Sequence, residues 1–342
     1  MLLRVFGKNP SGDELIKVQA SSNYRNNSFQ NSMPTSLMEN GSMLSILWKF
    51  MNKPKNTVPP KPIPSVKTDL KSLPDHAPVV VWLGHSSYLI KINGRHILVD
   101  PVFSGHASPF SFSAKSFPGT DVYGVDDLPA IDALIISHDH YDHLDYATVK
   151  KLDSKTSVIC TSLGVASHLD FWGIDKKKIV EFDWWKSHTL FDDVQLTAVP
   201  ARHFSGRGFI RNKTLWSSFV LTTKQYSLFI GADSGYGDHF KLIREKFGSF
   251  DLAILECGQY NTAWHDIHML PEETVQACID LNAKVLMPVH WGKFSISLHP
   301  WDEPVRRVKM SADELKVKIT TPMIGEPVIV GSSYPEKIWW EI

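Results

Sequence analysis

The chain has 342 residues, 43% of them apolar, enough for a large core in one or two domains. Its 36 Lys and Arg offset 36 Asp and Glu, so there is no basic excess for a phosphate backbone, and nucleic acid is not an expected partner. The widely spaced Cys160, Cys257 and Cys278 exclude a disulfide framework and a thiolate zinc site, and fit a reducing, cytoplasmic setting.

The N-terminus, MLLRVFGKNPSGDELIKV, has no sustained apolar run and no small-residue cleavage site, so it does not read as a signal peptide. No stretch approaches the ~20 apolar residues that span a bilayer. The chain is expected to be soluble, or at most peripheral to a membrane. Residues 1–77 join an Asn- and Ser-rich stretch, SSNYRNNSFQNSMPT, to a Pro- and Lys-rich one, KPKNTVPPKPIPSVK. They read as an extended N-terminal arm packed on the main body of residues 78–342. Between the two stretches lies MLSILWKFM, Met43 to Met51. It reads as a helical turn docked on the body, with a lipid contact as the second reading.

From Val79 onward, strand patterns come in quick succession: VVVWL, YLIKI and HILVD, the last two joined at Gly94 in a hairpin. DALIIS, SVICT, VQLTAVP, SSFVLTT, YSLFIGAD, DLAILEC and KVLMPVH follow. Helical periodicity fills roughly 145–153, 163–172, 238–247 and 271–282. SADEL, Ser311 to Leu315, reads as the capping-box start of a late helix. Strands in runs with helices between them predict an α/β protein whose sheets are covered by helices.

The same feature recurs along these strands. Asp100 ends HILVD, His138 follows ALIIS, His203 follows LTAVPAR, Asp233 ends LFIGAD and His290 ends VLMPVH. Side chains at strand ends are held by rigid backbone, which suits a preorganised site. The densest of them is SHDHYDHLD, Ser137 to Asp145. In an extended segment alternate side chains share a face, so His138 and His140 can grip one ion, while Asp142 and His143 reach a second. Imidazole and carboxylate suit zinc, iron or manganese. His203, Asp233 and His290 are on offer to complete two sites.

HDHYDH resembles the H-x-H-x-D-H signature of the metallo-β-lactamase superfamily, and ARHFSGRG, GADSGYG and PVHWGKF resemble its later ligand motifs in the right order. The resemblance implies an αββα sandwich with a dinuclear site, formed by residues 78–342. It implies that His138, His140 and His203 hold one metal, that Asp142, His143 and His290 hold the second, and that Asp233 bridges them. The two divalent ions would be zinc first, with Mn2+ or Fe2+ as alternatives. WLGHSS, LVDPVF, IHMLPEETV and HWGKF narrow the resemblance to the branch containing N-acylphosphatidylethanolamine-hydrolysing phospholipase D, and FGKNPSG and NYRNNSFQN are similar to its bacterial members. The segment ECGQYNTAWHD departs from the mammalian pattern.

That resemblance implies a metal-dependent hydrolase cleaving a phosphodiester, with an N-acylphosphatidylethanolamine-type phospholipid as the candidate substrate. Two ions about 3.5–4 Å apart can share a hydroxide that attacks phosphorus. Asp142 would orient the nucleophile, and His268, before the P-E-E helix, would give the leaving alkoxide its proton, with His265 as the competitor for that role. Asp100 is a candidate hydrogen-bond partner of a ligand imidazole. His85 either lines the metal cleft or bonds within its own loop. Trp264 and Trp291 are the tryptophans nearest the expected site. Two alternatives stay open: a lactonase acting on a phosphorylated sugar lactone, and a metal-bound binding protein without catalysis. Peripheral membrane contact and a homodimer are both compatible with the sequence.

Overall fold

The computed structural model describes residues 2–38 and 48–342. The arm opens with helices α1 (Leu2–Val5) and α2 (Asp13–Gln19) and a two-stranded ribbon, β1 (Tyr24–Arg25) with β2 (Ser28–Phe29). Residues 48–51 form a helical turn, α3, while 43–47 of the apolar stretch lie outside the described residues. The arm inserts Val18, Tyr24 and Phe29 into a cluster completed by Leu163, Trp184, Leu215 and Trp216 of the body. Its Ile63, Leu70 and Leu73 join the main core. A composition too polar to form a core can still anchor itself, because a few buried apolar side chains stabilise by ~1.5–3 kcal/mol each.

Two sheets make the body. The first contains β3 (Val79–Trp82), β4 (Tyr88–Ile92), β5 (Arg95–Val99), β6 (Ile131–Ile136), β7 (Thr156–Ser162), β8 (Ile179–Phe182) and β15 (Pro327–Ile329). Its order is β15-β3-β4-β5-β6-β7-β8. Strands β15 to β5 pair antiparallel and β5 to β8 parallel. The β4–β5 turn is the expected hairpin: Asn93 and Gly94 have φ of 50° and 72°, which suits Asn-Gly. The second sheet has order β14-β13-β12-β11-β10-β9. Its members are β9 (Ser187–Phe191), β10 (Val194–Val199), β11 (Ser218–Thr222), β12 (Ser227–Ile230), β13 (Leu252–Glu256) and β14 (Leu286–Val289). Strands β12, β13 and β14 run parallel. Every residue of β3, β13 and β14 is buried, and apart from Glu256 at the end of β13 these strands read as continuous apolar runs rather than alternations.

Helices α4 (Tyr146–Leu152), α5 (Ala166–Phe171), α6 (His239–Phe247), α7 (Pro271–Asp280) and α8 (Glu303–Leu315) flank the sheets. Helix α7 packs on β13 and β14 and carries α6 and α8 beside it. The fold observed is the α/β protein with helix-covered sheets expected from the strand and helix order, in the sandwich that the resemblance implies. One expected boundary is wrong. Helix α8 starts at Glu303, with Asp302 at its N-cap and Pro304 in its first turn, and Ser311 lies buried inside it. A capping-box pattern starts a helix only where the preceding residues cannot carry one, and VRRVKM carries one well.

Candidate metal centre

The loops leaving the C-terminal ends of β5, β6, β10, β12 and β14 converge on one rim. They bring Asp100, His138 to His143, His203, Asp233 and His290 together. Ligand sites in α/β sheets form outside the carboxyl ends of strands. The backbone of this rim is strained: Asp100, His85, Gln259 and His290 have φ of 39°, 54°, 60° and 65°. For non-glycine residues that conformation costs of order 1–3 kcal/mol each and persists where the surroundings enforce it. Part of the enforcement is visible. The His85 carbonyl accepts from the His290 amide at 3.0 Å and from Trp82 Nε1 at 2.7 Å.

His138, His140, His203 and Asp233 form one cluster. His140 Nδ1 lies 2.9 Å from His138 Nε2 and 3.2 Å from His203 Nε2. Asp233 Oδ2 is 3.8 Å from both Nε2 atoms. His85, Asp142, His143 and His290 form a second cluster. Asp142 Oδ2 is 3.0 Å from His85 Nε2 and 3.5 Å from His143 Nε2. Asp233 turns its other oxygen here: Oδ1 lies 3.2 Å from His143 Nε2 and 3.2 Å from His290 Nδ1. Asp233 thus presents one oxygen to each cluster.

The electrostatics suit cation binding. Burial pushes the imidazoles of His138, His203 and His290 well below their ordinary value, and that of His140 below it, so their nitrogen lone pairs stay free. His143 moves the other way: burial lowers it, but the carboxylates of Asp233, Asp142 and Asp100 together raise it well above. For Asp142 and Asp233 burial works upward, but His143 and the other imidazoles hold both well below the usual carboxylate range. His143 Nε2, His85 Nδ1 and Asp233 Oδ1 are buried without a hydrogen-bond partner among the described residues. Orphaned buried polar atoms are costly. Three imidazole nitrogens converging on one point cannot all satisfy one another. The donor set therefore fits divalent ions of the kind that imidazole and carboxylate bind.

Neighbouring residues orient this set. Asp100 Oδ2 accepts from His143 Nδ1 at 2.8 Å, and Asp100 also takes the amide and hydroxyl of Ser137. Ser86 Oγ meets His290 Nδ1 at 2.9 Å, and the Ile267 carbonyl meets His203 Nδ1 at 2.9 Å. The arm takes part. Asn31 Nδ2 donates to the His203 carbonyl at 2.8 Å, and the His203 amide donates to Asn31 Oδ1 at 3.1 Å. Asp139, buried between two of the histidines, accepts from His168, Thr214 and the Gly206 amide.

His268 stands beside the clusters, its ring centroid 5.0 Å from His203 and 5.3 Å from His290. Its Nδ1 is 2.8 Å from Glu256 Oε2. Burial lowers the imidazole, but Glu256 outweighs it and brings His268 up to about 9. Burial pushes Glu256 up to about 7. His265 instead pairs with Glu273 at 2.9 Å on the outer side. Sequence reasoning did not single out Glu256 or the arm's Asn31, and left His85 undecided. Glu256 ends the apolar run LAILE, so the strand-end pattern that marks the histidines also marks it.

A cavity of about 260 Å³ opens on this rim. Leu37, Met38 and Phe50 of the arm, with Phe204, Trp264, Ile267 and Ile296, give it apolar walls, and Arg211 also lines it. Phe50 stacks on Trp264 at 6.3 Å, so the described end of the apolar stretch docks on the body. Trp291 does not reach the cavity; it is buried between Trp82 and Trp339.

A family model described as a β-lactamase superfamily domain matches residues 95–291. The chain belongs to the metallo-β-lactamase superfamily. An uncharacterized protein of Mycobacterium tuberculosis is 37% identical over 100% of this chain and 95% of its own length. The mitochondrial N-acyl-phosphatidylethanolamine-hydrolyzing phospholipase D of Saccharomyces cerevisiae is 34% identical over 68% of this chain, and this superfamily member spans 51% of the yeast protein. Among solved structures, the isothiocyanate hydrolase from Delia radicum gut bacteria superposes with a TM-score of 0.56 at 17% identity, covering 73% of this chain and 98% of that one. That likeness is one of fold. Membership and the paired His/Asp clusters make the chain a metal-dependent hydrolase of the superfamily.

Proposed function

We propose that this chain hydrolyses a phosphodiester, with an N-acylphosphatidylethanolamine-type phospholipid as the favoured substrate. The observation that carries the reading is Asp233, whose two oxygens face two separate histidine clusters. His138, His140, His203 and Asp233 would hold one ion; Asp142, His143, His290 and Asp233 would hold the other. Two divalent ions bound there, zinc in the first instance, would supply Lewis-acid charge and a water activated near neutral pH. Asp142, held by His85, faces the cavity and orients the attacking water. His268 also faces the cavity and gives a proton to the leaving oxygen.

The apolar walls of the cavity suit a lipid better than the phosphorylated sugar lactone of the alternative reading. The Arg211 guanidinium, 5.0 Å over the Phe204 ring, also lines the cavity and can meet the phosphate of either substrate. The name of the yeast relative points the same way. Trp48 and Met51, near Phe50 in sequence, and Phe209 and Ile210, just before Arg211, are exposed apolar side chains. They would contact the membrane surface from which such a lipid is drawn.

The test is hydrolysis by metal-loaded protein of bis-p-nitrophenyl phosphate, an N-acylphosphatidylethanolamine and a lactone, with Asp142→Asn as control. The proposal expects both phosphodiesters to be cleaved, the lipid in preference, and expects the control to lose at least about 10²-fold in turnover. Cleavage of the lactone alone would replace the proposal with the lactonase reading.

A further inference from the structure

We propose that Glu256 is the positioning residue that fixes the His268 ring for proton donation to an alcohol leaving group. The inference rests on the phosphodiesterase reading above and gives a role to Glu256, which lies with His268, Asp233 and His290 in a third group close enough to hold an ion but is not needed by the two clusters that share Asp233. Glu256 ends β13 and is only 1% exposed. A carboxylate that deep persists only where its oxygens are satisfied. Oε1 accepts from the Ser234 amide at 2.8 Å and the Met269 amide at 3.3 Å, and Oε2 meets His268 Nδ1 at 2.8 Å.

These bonds do two things at once. The Ser234 amide follows Asp233 directly, so Glu256 ties the loop of the shared carboxylate to the loop of His268. Holding Nδ1 fixes the ring plane and leaves Nε2 as the nitrogen free to serve the cavity that His268 lines. A carboxylate that fixes an imidazole's orientation and tautomer is the usual partner of a working histidine. The balance of the step is simple. A bond forms between water oxygen and phosphorus, and the phosphorus bond to the leaving alcohol breaks. Nε2 gives its proton to that leaving oxygen, the water's proton passes to solvent, and solvent reprotonates His268.

The test compares leaving groups in the full-length, metal-loaded protein. Expulsion of p-nitrophenolate from bis-p-nitrophenyl phosphate needs little protonation, whereas expulsion of the ethanolamide alkoxide from N-acylphosphatidylethanolamine needs it. Glu256→Gln keeps the acceptor for Ser234 and Met269 but turns a donor toward Nδ1. It should lower kcat on the lipid by about 10²-fold, leave the aryl ester within about twofold, and keep the metal content. Glu256→Asp, which retains the carboxylate, should fall between. Nitrogen-15 NMR of histidine-labelled protein should show the His268 Nδ1 signal displaced in Glu256→Gln. Equal losses on both substrates, no loss on either, or an unmoved Nδ1 signal would each overturn the proposal. If the unaltered protein cleaves neither ester, the phosphodiesterase reading fails and takes the leaving-group role with it. An altered Nδ1 signal would still support the positioning of the ring.

Discussion

His239 is a neutral imidazole in a place where protonation is penalised. It opens α6, buried, with its ring centroid 4.1 Å from that of Phe240 and Nε2 3.2 Å from Ser234 Oγ. Burial pushes it down to about 3, and the Arg202 guanidinium acts in the same direction. The unfolded chain takes up this proton as pH falls through about 6.5, and the folded chain does not until near 3. Stability is therefore full above pH 6.5 and is lost as pH falls toward 3, by about 1.4 kcal/mol per pH unit within that window. Denaturant titrations of the unaltered protein and His239→Gln at pH 7 and pH 5 should show the difference shifting in the variant's favour by about 2 kcal/mol. A constant difference would contradict this account. At the residue scale, the histidine and aspartate cluster was legible because metal-ligand types recur at strand ends. Glu256 obeys the same rule, but its partner His268 is reached only through the fold of the intervening loop. The arm's contribution was less legible still: nothing in sequence joins Asn31 to a backbone 172 residues away.

The ends of β13 and β14 are pressed together at Gly258. A Cβ there would lie 2.2 Å from the His290 carbonyl oxygen, closer than any real contact, and would meet the Trp291 side chain as well. Gly258→Ala must push the His290 loop away from β13. The expected cost is of order 1–3 kcal/mol, with weakened metal binding, because His290 already sits in a left-handed conformation with little room to adjust. Thermal unfolding and metal titration of the variant would check this; unchanged melting and affinity would show that the loop tolerates the shift. Most of these elements could be read from the chain because their apolar runs are long and buried on both faces. The short strands β8, β9 and β15 could not, since their side chains are mostly half-buried or exposed and tertiary pairing alone defines them. The start of α8 was misplaced for a related reason: a local capping pattern was read without the helix-forming run before it.

At the scale of the whole molecule, the arm and the sheets form one unit around the rim. The arm anchors through Val18, Tyr24 and Phe29, clamps His203 through Asn31, and walls the cavity with Leu37, Met38 and Phe50. Among the described residues no helix is long and apolar enough to cross a membrane. The proposed chemistry requires two ions sharing Asp233. The most direct measurement is the metal content of zinc-saturated, dialysed protein by elemental analysis, alongside Asp233→Ala. Two equivalents per chain are expected, falling below one in the variant while its far-ultraviolet circular dichroism is unchanged. Saturation at one equivalent or none, or a variant that retains two, would contradict it.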